Sequence, residues 1–87
     1  MTKEEIESAA KHSLNNKHEI EKSKMCGCYY CMRTFPASLI RHHNYNYIDG
    51  DGTAFCPFCE KDAVIGDASG VPINKKVLTE IFHVMFW

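Results

Sequence analysis

The first 24 residues carry a weak helical pattern of apolar and small positions. These positions recur every three or four residues, which places them on one side of a helix. They are Ile6, Ala9, Ala10, Ser13, Leu14 and Ile20. Thr2 and Glu5 have the spacing of a capping box, which predicts a helix start. Asn15 and Asn16 interrupt the pattern, so we predict a break or kink there, in a segment packed lightly on the rest of the chain.

The pattern becomes strand-like between residues 44 and 56. Tyr45 and Tyr47 favour a strand, and residues 49–52, with the sequence D-G-D-G, are a strong turn signal. Residues 53–55 then return toward the second cysteine pair. We therefore predict a β-hairpin whose last strand leads directly into that pair.

Two further segments are predicted to be helical. Phe35, Leu39 and Ile40 fit a short helical turn with Pro36 in its first turn. Asn74 is a suitable N-cap for a final helix. The apolar stripe of that helix consists of Val77, Leu78, Ile81, Phe82 and Met85. Little polar face remains, so we expect much of this helix to be buried, with a strand as the alternative.

The cysteines are grouped in two short strings, C-G-C-Y-Y-C and C-P-F-C. The pairs Cys28/Cys31 and Cys56/Cys59 each have C-x-x-C spacing, and 24 residues lie between them. This spacing is typical of a four-thiolate metal site, so we predict one Zn²⁺ per chain on these residues. Four thiolates leave no position for water or substrate, which indicates a structural role. Iron in a rubredoxin-like centre is the alternative.

Cys26 offers a second ligand register within the first string. The C-x-x-C geometry favours Cys28 instead, so Cys26 is predicted to be a buried small residue or a sulfur beside the site. His42 and His43 lie between the two cysteine pairs, as histidines do in HNH-type nucleases. The helix that such a nuclease needs after them is replaced here by the predicted hairpin. We therefore interpret both as surface or turn residues and predict no enzyme.

Composition limits the function without identifying it. The chain has 87 residues and a net charge of −1, so it forms one small domain without a general basic field for nucleic acid. A helical segment at 1–24 and a metal-binding module at 25–87 are its expected parts. A core of this size is marginal and gains from a bound metal. No apolar stretch reaches the ~18 residues of a membrane span, and the N-terminus lacks an apolar signal region. We expect a cytoplasmic protein with reduced thiols.

Aromatic residues near the cysteine pairs leave a second function open. A single-strand binder uses such rings for base stacking. They are Tyr29, Tyr30, Phe35, Tyr45, Tyr47, Phe55 and Phe58. Arg33 and Arg41 are balanced by Asp49 and Asp51, which favours core packing. An exposed basic cluster would favour a regulatory, nucleic-acid-binding zinc ribbon; its members would be Arg33, Arg41, Lys61, Lys75 and Lys76.

Residues 62–73 form the string D-A-V-I-G-D-A-S-G-V-P-I. Its glycines and polar residues favour a loop in which Asp62, Asp67 and Ser69 cap backbone amides, with a ligand-contact loop as the alternative. Together with both cysteine strings, it resembles a family of small bacterial or phage zinc-ribbon-like cytoplasmic proteins of unknown function. The resemblance covers nearly the whole chain and implies a zinc-binding module. It brings no activity, but it points to residues 62–73 as a functional surface.

The sequence therefore predicts a small α+β domain with a zinc-ribbon or treble-clef core, a β-hairpin, and helices at both ends. The favoured function is non-enzymatic: a metal-stabilised scaffold that presents a surface to a protein partner. Residues 62–73 and the apolar tail at 82–87 are the candidate surfaces. The tail either closes over the core or forms an oligomer contact. A nuclease or a rubredoxin-like redox protein is less favoured.

Overall fold

The computed structural model describes residues 1–47 and 51–86 of the chain. The helices in these ranges are α1 (Lys3–Lys11), α2 (Lys17–Lys22) and α3 (Lys75–Met85). The strands are β1 (Met25–Cys28), β2 (Thr34–Pro36), β3 (Tyr45–Asn46), β4 (Thr53–Ala54) and β5 (Val64–Gly66). The prediction of a small α+β fold with helices at both ends is confirmed.

The strands form two antiparallel sheets. In the larger sheet β1 lies between β2 and β5, whereas the smaller sheet consists of β3 and β4. The predicted hairpin is confirmed by the pairs Tyr45–Ala54 and Asn46–Thr53, and residues 48–50 of its turn lie outside the described residues. The assignment of Phe35 to a helical turn is wrong, because Phe35 pairs with Cys26 across β1 and β2.

The N-terminal segment forms two helices, as the break in the pattern indicated. The capping box at Thr2 is present, with the Glu5 amide donating to the Thr2 hydroxyl at 3.2 Å. The segment packs more closely on the domain than we expected. Its buried side chains are Ile6, Ala9, Ala10 and Ile20.

Asn16 is a buried polar residue at the break between α1 and α2. It is 2% exposed, and its Nδ2 donates to the carbonyl of Val64 at 2.8 Å and to that of His12 at 2.9 Å. Its Oδ1 accepts from the amide of Ala54 at 3.0 Å. One side chain therefore joins the N-terminal helices to β4 and β5, and so to both sheets.

Helix α3 closes the other side of the core. Asn74 caps it by accepting from the Val77 amide at 2.9 Å, as predicted. Leu78 packs closely on β1, because a Cβ added at Gly27 would lie 2.9 Å from its side chain. The last turn is not buried as we expected, since Met85 is 47% exposed. Within the described ranges, no helix is long and apolar enough to cross a membrane.

Candidate metal centre

The fold brings the four predicted sulfurs together. All four lie within 4.8 Å of one another, and the closest pairs are Cys28–Cys59 at 3.6 Å and Cys31–Cys56 at 3.7 Å. A tetrahedron with metal–sulfur bonds of about 2.3 Å has edges of about 3.8 Å. A disulfide bond would be only about 2.05 Å long, and all the cysteines are free. This group could hold a metal ion.

The two C-x-x-C loops have the same backbone structure. We call residues 28–33 the first knuckle and residues 56–61 the second knuckle. In each knuckle the first amide donates to the sixth residue's carbonyl, and the fifth amide donates to the first carbonyl, with all four bonds at 2.9 Å. The fifth residue of each is left-handed, Met32 at φ 67° and Glu60 at φ 65°. Each knuckle therefore turns sharply enough to place its two sulfurs on one side.

Burial and backbone amides set the protonation of the thiols in opposite directions. Burial raises the pKa of Cys28, although amides in its own knuckle lower it. The pKa of Cys31 is lowered, because the Arg33 amide and neighbouring thiols outweigh the effect of burial. In the second knuckle, the amide of Cys59 lies 3.5 Å from the Cys56 sulfur. A metal must displace thiol protons here, and the aimed amides stabilise the thiolates that result.

The exposure of the sulfurs is also paired between the knuckles. The first cysteine of each pair is buried, with Cys28 at 0% and Cys56 at 1% exposed. The second cysteines, Cys31 and Cys59, are only partly buried. Among the described residues, no histidine or carboxylate joins this group of four. The set therefore offers four sulfur atoms at the edge of the core, which matches the ligand number of a closed structural site.

Side chains of each knuckle reach across to the other. The Arg33 guanidinium lies over the Phe58 ring, 4.7 Å from its centroid. The Lys61 ammonium lies over the Tyr30 ring at 5.7 Å. Both contacts join the sixth residue of one knuckle to the third residue of the other. These contacts thus join the two knuckles reciprocally, as the closest sulfur pairs do. The sequence analysis did not predict this feature.

The remaining candidate ligands lie outside the cysteine group. Cys26 is fully buried on β1, and burial together with the Asp67 charge raises its pKa to about 12. His42 and His43 are exposed in a 3-10 turn, where the His42 Nδ1 lies 3.1 Å from the Tyr47 hydroxyl. These positions agree with a core thiol and two surface histidines.

Residues 62–73 have clear structural roles. The string supplies β5, which pairs with β1. Ser69 caps its own loop, as predicted: its hydroxyl donates to the Gly66 carbonyl at 2.6 Å and accepts from the Val71 amide at 3.1 Å. Asp67 instead caps a distant segment, accepting from the Lys24 amide at 3.0 Å. The string therefore fixes the large sheet next to the first knuckle.

Comparison with known proteins gives no assignment. No family model, curated protein or solved structure matches the chain. The cysteine group and the surfaces around it are therefore the features that bear on function.

Proposed function

We propose that Cys28, Cys31, Cys56 and Cys59 bind one structural Zn²⁺ per chain. The observation that carries this proposal is the set of four sulfurs within 4.8 Å of one another, with pair distances close to those of a tetrahedron. Two equivalent knuckles support a zinc-ribbon-like core. Iron is the alternative metal, since a four-thiolate tetrahedron also suits it.

We propose that the metal holds a protein-interaction module and takes no part in catalysis. Four thiolates saturate a tetrahedral ion, so no position remains for a substrate. Residues 62–73 and the end of α3 are the candidate surfaces, because Ala68, Pro72 and Phe86 are exposed. Free thiols in close groups favour a reducing compartment, which supports the cytoplasm. The resemblance to small bacterial or phage proteins agrees with this proposal but adds no activity.

Metal content and metal-coupled folding test the proposal. We expect elemental analysis of the purified protein to give one zinc per chain and no iron-thiolate absorption in the visible range. A strong chelator should release the ion and remove most of the folded circular-dichroism signal, since metal binding supplies folding free energy. Cys56→Ser/Cys59→Ser should remove the metal, whereas Cys26→Ser should retain it. A variant without both Cys56 and Cys59 that remains fully folded would refute the proposal.

A nucleic-acid-binding ribbon is the second candidate, and one observation favours it. Exposed rings carry a cation nearby, at Tyr30 with Lys61, Phe58 with Arg33, and Tyr47 with Lys17. Exposed aromatic and basic side chains together bind single strands. A fluorescent single-stranded oligonucleotide should then bind at low salt and dissociate as salt increases. Absence of binding at low salt would exclude this candidate.

A further inference from the structure

Exposed apolar side chains are concentrated where α1 and α3 end side by side. Ten large apolar side chains are exposed in the described ranges, and five of them lie here. They are Leu14 at 60%, Tyr30 at 47%, Val84 at 37%, Met85 at 47% and Phe86 at 40% exposure. Leu14, Val84, Met85 and Phe86 line a groove of about 710 Å³, and Tyr30 adjoins it through its ring contact with Phe86. Contiguous exposed apolar surface of this kind marks an interaction site. We call it the α1–α3 groove.

The groove is built from packed rings. The Phe86 ring lies 5.8 Å from that of Tyr29 and makes an edge contact with Tyr30 at 5.2 Å. Tyr29 is itself held below the surface, where its hydroxyl lies 3.1 Å from that of Ser13. The apolar floor is therefore already formed in the single chain, which lowers the conformational cost of binding there.

The charges around the groove have both signs. On α1 the exposed residues Lys3, Glu7 and Lys11 follow one another at four-residue spacing, so they share one helix face. Lys61 and Asp62 also line the groove. None of these five takes part in an ion pair within 4.0 Å in the parts of the chain that the structure describes. Glu7 and Lys11 thus form no ion pair with each other, although their i,i+4 spacing would allow one, and both charges remain for a partner.

We propose that a second copy of this chain docks on the α1–α3 groove and forms a two-fold symmetric dimer. A symmetric interface places one patch against itself, so that patch must be complementary to itself. Alternating charges on α1 meet this requirement, because an antiparallel copy places Lys3 against Glu7 in both directions. A partner with charges of one sign, such as a nucleic acid, would meet repulsion at Glu7 and Asp62. The proposal deepens the proposed interaction function by naming its partner.

The oligomeric state of the metal-loaded protein tests this proposal. Sedimentation velocity over a range of concentrations should show a reversible monomer–dimer equilibrium. Leu14→Ser/Met85→Ser removes apolar contacts from the groove and should weaken association at least about tenfold. Met25→Ser/Leu39→Ser is the matched control. Both residues are large, apolar and exposed, at 39% and 41%, and both lie away from the groove. The control should dimerise like the unmodified chain.

Charge reversal gives a second, independent readout. Lys3→Glu/Lys11→Glu makes the α1 face acidic, and Glu7→Lys makes it basic. Each variant alone should be monomeric because like charges face each other, whereas an equimolar mixture should form heterodimers. These surface substitutions should leave folding and metal content unchanged, which circular dichroism and elemental analysis check on the same samples.

Three outcomes would overturn the proposal. The first is a monomer at every concentration, and the second is a dimer lost in the control pair but kept in the groove pair. The third is a folded monomer whose groove binds a labelled oligonucleotide. A folded, metal-loaded monomer would reject the dimer and leave the structural metal proposal standing. A chain that folds fully without metal would instead reject the structural metal proposal.

Discussion

The two knuckles have the same backbone geometry but different support. The first knuckle follows β1, which is paired on both sides, with β2 and with β5. The second knuckle follows β4, which among the described residues has a ladder on one side only, two residues long. Its further support comes from Asn16, which accepts from the Ala54 amide. We therefore expect two metal-binding loops of the same geometry to depend on the metal to very different degrees.

Loss of the metal should have the largest effect, and it should separate the two knuckles. In Cys56→Ser/Cys59→Ser or in chelated protein, we expect most of the folding free energy to be lost, since structural zinc contributes on the order of 10 kcal/mol. Hydrogen exchange should then show full exposure of the Glu60 amide and partial protection of the Met32 amide. The reason is that β1 keeps its ladders without the metal.

The control for this experiment is Cys26→Ala, which changes a buried thiol outside the sulfur group. It should keep the metal and protect both knuckles. Equal loss of protection at Met32 and Glu60 in the stripped protein would contradict the difference in support.

Asn16→Ala should have the next largest effect, and it should act on the second knuckle. The change leaves the Val64 carbonyl and the Ala54 amide without the partners they have now. Unsatisfied buried groups of this kind cost about 1–3 kcal/mol each, so we expect a loss of roughly 3 kcal/mol in the free energy of unfolding. Denaturant titration of the metal-loaded protein measures it.

Asn15→Gly provides the matched control. Asn15 is exposed, and its left-handed backbone at φ 45° suits glycine. We expect a change within about 0.5 kcal/mol. If both variants lost the same stability, Asn16 would act only as a helix breaker and would not link the two sheets.

The sequence predicted features that depend on nearby residues. The capping box at Thr2, the N-cap at Asn74 and the spacing of the cysteine pairs are all set within a few positions. The pairing of β1 with β5 joins residues such as Cys26 and Gly66, which are 40 positions apart. No local pattern specifies such a contact, so the larger sheet was missed.

Asn16 did leave a signal that was interpreted too simply. It lies three residues after Ser13 and four before Ile20, on the same helical face as the apolar positions. A polar residue on a buried face needs hydrogen-bond partners, and its amide finds them in β4 and β5.

The four sulfurs were predictable as a group, whereas the contacts across the knuckles depend on how the two loops face each other.

Alkaline pH should lower the free energy of unfolding by a smaller amount, through one buried group near each knuckle. Cys26 lies beside the first knuckle, and Tyr45 lies in the hairpin before the second. Burial is the main cause that raises the pKa of each group to about 12. The unfolded chain loses these protons near pH 9 and pH 10, from the ordinary values 9.0 and 10.0. Stability should therefore fall as pH rises above about 9, with Cys26 contributing about 1 kcal/mol at pH 10.

Thermal unfolding between pH 8 and pH 11 measures this dependence. Cys26→Ala and Tyr45→Phe should each flatten the decline, whatever they do to stability at pH 8. An unchanged slope in both variants would mean that other groups are responsible.

The cation–ring contacts between the knuckles should have the smallest effect on stability, and they allow the two contacts to be compared directly. A double-mutant cycle of Arg33→Gln and Phe58→Leu should yield a coupling of about 0.5–1 kcal/mol in unfolding, and Lys61→Gln with Tyr30→Leu should yield less. Arg33 lies 4.7 Å from its ring, whereas Lys61 lies 5.7 Å from Tyr30 and also 5.5 Å from Phe86. Lys76→Gln with Phe58→Leu is the control and should show no coupling. A larger coupling at Lys61 than at Arg33 would mean that the distance to the ring does not set the strength of these contacts, and that the α3 tail supports the first knuckle through Phe86.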